Sequence, residues 1–170
     1  MKLTGKLMEA INDQVTLEME AAVVYRQLAI EMEVIDLPGI AGWFRAQSDE
    51  EIVHCEKFIA HMVDRDAHPA FKAMPAVTVE VDSVLDAFTA ALKHEQKVSE
   101  AIRELYRIAQ AEGDIDAIPL LNWFVDEQLE EEATVSEIVG RVSLIGDDGP
   151  GLLRLDSELG DRTSAGTEPA

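Results

Sequence analysis

Apolar residues recur along the chain at intervals of three and four, the spacing that lines up one face of an α-helix. Four long stretches carry such a stripe, and proline and glycine fall mostly between them. The first, from about Thr4 to Ile35, presents Leu7, Ile11, Gln14, Glu18, Ala22, Tyr25, Ala29 and Met32. The second, from about Gly39 to Arg65, presents Ile40, Phe44, Gln47, Glu51, His54, Phe58 and Met62. The third, capped by Asp82 or Ser83 and closing near Gly113, presents Leu85, Phe88, Leu92, Glu95, Val98, Ile102 and Leu105. The fourth, with Asp116 as the expected cap and Pro119 in its first turn, presents Leu121, Phe124, Gln128, Glu131, Val135, Ile138 and Val142 before Gly146. A short fifth helix fits Gly151 to Leu159, and Asp161 to Ala170 reads as a disordered tail, which leaves residues 1–160 as one domain.

The connections set the topology. The first and second helices are joined by a short link, as are the third and fourth, so each pair is expected to form an antiparallel hairpin. The second helix spans about 40 Å at about 1.5 Å per residue. The segment from His68 to Val81, rich in proline and β-branched residues, reaches about 50 Å at about 3.3 Å per residue. It can therefore cross the bundle lengthwise and set the third helix parallel to the second. The predicted fold is all-α, a four-helix bundle with one long crossover and a short fifth helix.

All four stripes are interrupted near mid-helix. In a bundle of helices of similar length the interruptions meet in one layer, which would hold Glu18, Glu51, His54, Glu95, Gln128 and Glu131. An unpaired buried carboxylate costs several kcal/mol, and the stripes offer no lysine or arginine as a partner. Four glutamates carry a charge of about −4, which two divalent cations would neutralise with His54 neutral. Glutamate and imidazole ligands without thiolate suit iron or manganese; zinc would not need so many oxygens. Glu51-Ile52-Val53-His54 is a Glu-x-x-His pair, which projects two ligands from one helix face. Alone it is a weak signal; Glu18 and Glu95 at matching depth strengthen it.

Composition narrows the partners. Lys and Arg total 14 against 34 Asp and Glu, a formal charge of −20, so nucleic acid and anionic membranes are poor partners and cations suitable ones. Hydrophobic residues make up 47% of the chain, enough for a sizeable core. The single cysteine, Cys55, precludes an internal disulfide and fits a reducing cytoplasm. The first residues lack the apolar run of a signal peptide, and no stretch is long and apolar enough to cross a bilayer. A cytoplasmic location is the expectation.

Several motifs together resemble the non-haem bacterial ferritins, over about Leu3 to Gly160: Leu17-Glu18, Glu50-Glu51-Ile52-Val53-His54, Lys93-His94-Glu95-Gln96, the run from Trp123 to Glu132, and the ending Gly149-Pro150-Gly151-Leu152. The resemblance implies a ferroxidase centre within each subunit. Glu18, Glu51 and His54 would hold one iron; Glu51 as a bridge, with Glu95 and Glu131, would hold the other. Gln128 would neighbour bound oxygen species or water, and Tyr25 would border the centre and supply an electron during oxygen reduction. Glu50, Glu127 and Glu130, with Glu131, would form a third iron site, against the plainer reading of a solvated acidic face. Fe(II) would be oxidised by O₂ or H₂O₂ and stored as a ferric oxyhydroxide mineral inside a homo-24-mer.

The chain also departs from relatives of this group. Bacterioferritins carry a haem-binding methionine where Ile52 stands, so no haem is expected. They carry a second Glu-x-x-His on the fourth helix; Gln128-Leu129-Glu130-Glu131 favours an asymmetric centre. The acidic residues that line a three-fold pore in animal ferritins are Ile118 and Leu121 here, which puts the iron access route in doubt. Trp123 and Cys55 read as core residues, and His61, His68 and His94 as surface or capping residues. A rubrerythrin-like peroxidase would need more cysteines, and a DNA-protecting mini-ferritin places its ligands between subunits. The remaining alternative is a di-iron oxidase or metal-buffering bundle that forms no mineralising cage.

Overall fold

The computed structural model describes residues 2–161, and among these the chain forms five helices: α1 (Gly5–Val34), α2 (Pro38–Asp64), α3 (Val84–Glu112), α4 (Ile118–Ile145) and α5 (Gly149–Gly160). The expected disordered tail lies outside the described residues, apart from Asp161, a turn residue after α5. No helix among the described residues is long and apolar enough to cross a membrane.

Local chemistry accounts for most helix ends. Of the two candidate caps for α3, Ser83 takes the role, its hydroxyl accepting the Asp86 N–H at 3.1 Å. Gly113 ends α3 at φ 68°, a left-handed conformation that glycine enters without steric cost. Proline sits in the first turn of α2, α4 and α5, where the missing N–H is not needed. The expected cap for α4 is corrected: Ala117, not Asp116, precedes the first helical residue and makes no side-chain cap bond. Asp114 takes over the turn, accepting the Ala117 N–H at 3.1 Å while Arg65 donates to it at 2.6 Å. The fifth helix starts two residues earlier than expected, with Asp148 accepting the Gly151 N–H.

Two apolar clusters show how the helices run. One contains the end of α1 (Tyr25 to Met32), the start of α2 (Leu37 to Phe44), the start of α3 (Val84 to Ala91), the end of α4 (Val135 to Val142) and α5. The other contains the start of α1, the end of α2, the end of α3 and the start of α4. Hence α1 and α2 are antiparallel, α3 and α4 are antiparallel, and α2 and α3 are parallel. The crossover between Asp64 and Val84 runs the length of the bundle. It is pinned to α1 by Asn12, which exchanges two hydrogen bonds with the Ala70 backbone, and by Thr16, which accepts from the Lys72 N–H.

The stripes face inward as predicted, apart from Leu85 and the half-buried Leu92 of α3. On α3, Leu85 is 37% exposed and Val84 and Ala87 are buried in its place; helix α3 begins there, and its first turn packs against the end of α4. The short helix α5 covers the start of α2. Asp156 accepts the Ile40 N–H at 2.7 Å, and a Cβ at Gly39 would overlap the Asp156 carbonyl. Each large side chain fully buried in these clusters contributes ~1.5–3 kcal/mol. That sum lets the fold tolerate a polar layer between the two clusters.

Candidate metal centre

That layer lies where the two clusters part. Glu18 follows Val15 and precedes Tyr25 on α1; Glu51 and His54 lie between Phe44 and Phe58 on α2. Glu95 lies between Ala91 and Val98 on α3, and Gln128 and Glu131 between Phe124 and Val135 on α4. All six are buried, at 6% exposure or less. The one buried lysine or arginine among the described residues, Arg65, is at the far end of α2 and paired with Asp114.

Glu18, Glu51 and His54 form a compact group whose ligand atoms lie within 4.8 Å of one another and which could hold a metal ion. His54 Nδ1 is 3.2 Å from Glu51 Oε2. Gln14 Nε2 donates to Glu18 Oε1 at 2.8 Å, while Glu18 Oε2 is buried with no hydrogen-bond partner. Burial, then the nearby charge of Glu51, pushes the Glu18 carboxyl well above the usual carboxylate range. Burial works to lower the His54 pKa, but the carboxylates of Glu127 and Glu51 beside it outweigh that and the net shift is well upward.

Glu95 and Glu131 are held differently. Tyr25 donates its hydroxyl to Glu95 Oε1 in a short hydrogen bond, and Gln128 Nε2 donates to Glu95 Oε2 at 3.0 Å. Gln47 Nε2 donates to Glu131 Oε2 at 3.1 Å. Burial, followed by the charges of Glu51 and Glu131, raises the Glu95 pKa well above the usual range. Burial also raises that of Tyr25, with Glu95 adding to it. The tyrosine therefore stays a hydrogen-bond donor. Its ring packs against Phe44 and Trp43 at 6.1 and 6.4 Å between centroids.

The residues of the expected third site are less closely gathered. Glu127 is half-buried, with Oε1 3.7 Å from His54 Nε2; Glu50 is half-buried and Glu130 exposed. Trp123 is half-buried rather than a core residue, edge-on to His54 at 5.6 Å, with the Lys57 ammonium over its ring. Cys55 is a buried small residue whose thiol donates to the Val15 carbonyl, and burial pushes its pKa up to about 12. His68 is exposed and His61 half-buried, but the expectation for His94 is corrected: it is buried, its Nε2 without a hydrogen-bond partner. It lies one position before Glu95 on α3, so it turns toward α1 and the crossover that roofs this side of the bundle.

Two supporting residues were not singled out from the sequence. Gln14 and Gln47 sit on their stripes one turn ahead of Glu18 and Glu51, and each donates to a carboxylate of the layer. The signal was a second polar interruption four residues before the first.

Comparisons with known proteins agree with this architecture. A family model, that of the ferritin-like domain, matches residues 8–145. The bacterial non-heme ferritin of Staphylococcus aureus (strain MRSA252) is 37% identical over 161 residues, spanning 95% of this chain and 97% of that protein. The bacterial non-heme ferritin of Staphylococcus haemolyticus is also 37% identical over the same share. Among solved structures, an open-pore ferritin from the archaeon Archaeoglobus fulgidus superposes with a TM-score of 0.92 at 36% identity, covering 95% of this chain and 98% of that one.

Proposed function

Because the chain belongs to the ferritin family, we propose that it is an iron-storage ferritin, with Fe(II) as the substrate of the buried layer. Glu18, Glu51 and His54 take one Fe(II); Glu51, Glu95 and Glu131 take a second, with Glu51 shared. Each Fe(II) gives one electron to dioxygen or peroxide. The ferric product then leaves for a hydrolysed oxyhydroxide mineral within a cage of 24 copies in the cytoplasm. The observation that carries this reading is the Glu18–Glu51–His54 group, which gathers two carboxylates and an imidazole away from water, with one buried oxygen of Glu18 unpartnered.

The surrounding residues prepare this group for a cation. In the metal-free chain the raised Glu18 and Glu95 carboxyls and the raised His54 imidazole favour their protonated forms. A cation must displace those protons, so binding is coupled to proton release and strengthens as pH rises. Gln14, Gln47 and Gln128 orient the carboxylates, as partners outside the ligand set do in metal sites generally. Tyr25 holds Glu95 and in this reading gives one electron to the oxidant, its phenolic proton passing to Glu95. Glu127, 3.7 Å from His54, with Glu50, Glu130 and Glu131 makes up the third iron position of this reading.

An anaerobic Fe(II) titration followed by air is the test, with oxidation read optically and assembly by native mass spectrometry. Two tight equivalents per chain, rapid oxidation on mixing with air, and a mass of 24 chains are expected. Absence of Fe(II) uptake, or oxidation undiminished in Glu51→Ala, overturns the reading. A bundle that oxidises Fe(II) but stays a monomer or dimer is the di-iron oxidase alternative.

A further inference from the structure

Two oxidisable rings each stand one contact away from a residue assigned to iron. Tyr25, in the apolar cluster on one side of the layer, donates its hydroxyl to Glu95. Trp123, packed against the cluster on the other side, lies edge-on to the His54 ring with 5.6 Å between centroids. An oxidant in the layer therefore has two aromatic electron sources within reach.

The two rings differ in what faces them. Tyr25 has a proton acceptor at its hydroxyl, the Glu95 carboxylate. Trp123 has a cation against its face, the Lys57 ammonium, 4.3 Å from the ring centroid. Lys57 is half-buried on α2, one turn after His54, and among the described residues no carboxylate is paired with it. In a chain with 34 acidic residues this lysine meets an indole instead. An ammonium over an aromatic face is attracted to the neutral ring and repelled by the same ring once it has lost an electron. Glu127, one turn after Trp123 on α4, acts in the opposite sense, and Lys57 is the closer neighbour placed against it. We propose that Lys57 decides which ring gives the electron, holding Trp123 against oxidation so that Tyr25 is the donor. The inference rests on the ferroxidase reading and adds to it a role for Lys57.

The choice matters most when a subunit holds a single Fe(II) and meets hydrogen peroxide. Breaking the O–O bond to give two waters takes two electrons and two protons. Fe(II) supplies one electron and becomes Fe(III). Tyr25 supplies the other with its phenolic proton, which passes through Glu95, and the second proton comes from solvent. The product is a neutral tyrosyl radical, which a later Fe(II) and one proton return to tyrosine. Electron loss from Trp123 would instead leave a radical cation beneath the Lys57 ammonium and beside His54.

The test uses the assembled protein loaded without air with one Fe(II) per subunit, mixed with hydrogen peroxide and frozen. Electron paramagnetic resonance, with the indole rings deuterated, tells tyrosyl from tryptophan radicals. The unaltered protein should give mainly the tyrosyl signal. Lys57→Met keeps the length of the side chain and removes its charge. It should raise the tryptophan signal relative to the tyrosyl one about ten-fold, equivalent to about 59 mV in a one-electron potential. Lys57→Arg, which keeps a cation over the ring, should restore the original ratio. Adding Trp123→Phe to Lys57→Met should abolish the tryptophan signal, which assigns it to Trp123 and not to Trp43, 6.4 Å from Tyr25. Fe(II) uptake should be the same in Lys57→Met as in the unaltered protein, so that loss of the site does not explain the change. A ratio unchanged in Lys57→Met, a ratio equally altered in Lys57→Arg, or a tryptophan signal that survives Trp123→Phe overturns the inference while leaving the ferroxidase reading intact. If the unaltered protein takes up no Fe(II), the ferroxidase reading fails and this inference with it.

Discussion

The two halves of the buried layer are built from the same residue type at the same depth, yet they differ in how their oxygens are satisfied. In the half made by Glu18, Glu51 and His54, one glutamate oxygen has no partner, and three potential ligands crowd within 4.8 Å. In the other half both oxygens of Glu95 accept hydrogen bonds, from Tyr25 and Gln128, and Glu131 accepts one from Gln47. The first half has no neutral donor for that oxygen, so a proton on Glu18 or a bound cation would have to complete it. The second is already satisfied by neutral donors, and a cation there must displace or reorient them. Burial alone therefore does not define a metal site; what matters is whether the protein itself supplies the missing partner.

This difference predicts an order of filling, and breaking it is the strongest test. Glu18→Ala and His54→Ala each remove a ligand of the first half. The tighter equivalent of Fe(II) or Co(II) should weaken by more than about 100-fold, beyond the 10–100-fold expected from loss of an outer partner. Glu95→Ala should leave the first equivalent tight and remove the second. Anaerobic calorimetric titration distinguishes the two. Loss of both equivalents in Glu95→Ala would show that the halves bind as one unit.

The next effect is on stability without metal. The folded-state pKa values of Glu18 and Glu95 are raised above the usual 4.5, chiefly by burial, so folding favours their protonated forms. Their contribution is present below the unfolded pKa and is lost as pH rises through the folded one. Metal-free protein should thus lose stability as pH rises above about 4.5. Glu18→Gln, which keeps the shape and removes the charge, should be more stable than the unaltered metal-free chain at neutral pH by about 1–3 kcal/mol. Divalent cations should reverse the ranking, because they stabilise only the chain that binds them. Thermal melts with and without Mn(II) check this. A metal-free Glu18→Gln no more stable than its parent would mean that the lone oxygen is satisfied by water.

A smaller effect separates the supporting residues. Gln14→Leu should weaken the first equivalent and spare the second; Tyr25→Phe should weaken the second and spare the first. Each change is expected at about ten-fold, the low end for an outer hydrogen-bond partner. Equal loss at both equivalents in either variant would erase the distinction between the halves.

Most of this organisation was legible in the sequence because it follows from period. The 3.6-residue spacing gave four stripes whose members are buried with the exception of Leu85 and the half-buried Leu92. The mid-helix breaks pointed to the layer because carboxylates on an apolar stripe need an explanation wherever the helices lie. What was not legible depends on rotation and on neighbours. His94 is one residue off its stripe, and it is buried on a side where α1 and the crossover, whose path has no periodicity, lie against α3. Leu85 was misplaced because a helix's first turn faces whatever its neighbour offers. Asp116 looked like a cap, but the buried Arg65 fixed Asp114 in that turn, a long-range pairing that local pattern cannot show.

That pairing supplies the smallest predicted effect and a control of opposite sign. At the far end of the bundle Arg65 Nη1 lies 3.2 Å from His61 Nε2, while its Nη2 donates to Asp114, which in turn accepts the Ala117 N–H. Arginine has no acceptor, so the contact with His61 is a hydrogen bond only while the imidazole is neutral. Burial lowers the His61 pKa and the Arg65 charge lowers it further, with Asp114, Asp64 and Asp116 opposing. Its stabilising contribution is present above the unfolded value near 6.5 and is lost as pH falls through the folded one. Asp114 follows at lower pH: burial works to raise its pKa, but Arg65 outweighs that and holds it below the usual 3.8. Because His61 is only half-buried, solvent screening keeps the effect below about 1 kcal/mol. The clamp thus weakens as pH falls, whereas the metal-free carboxylate layer weakens as pH rises. Melts of metal-free His61→Gln across pH 5–7 should lose the acid-side decline and keep the alkaline-side one, since a neutral amide can still accept from Arg65. Loss of the alkaline-side decline instead would place its origin at the clamp and not in the layer.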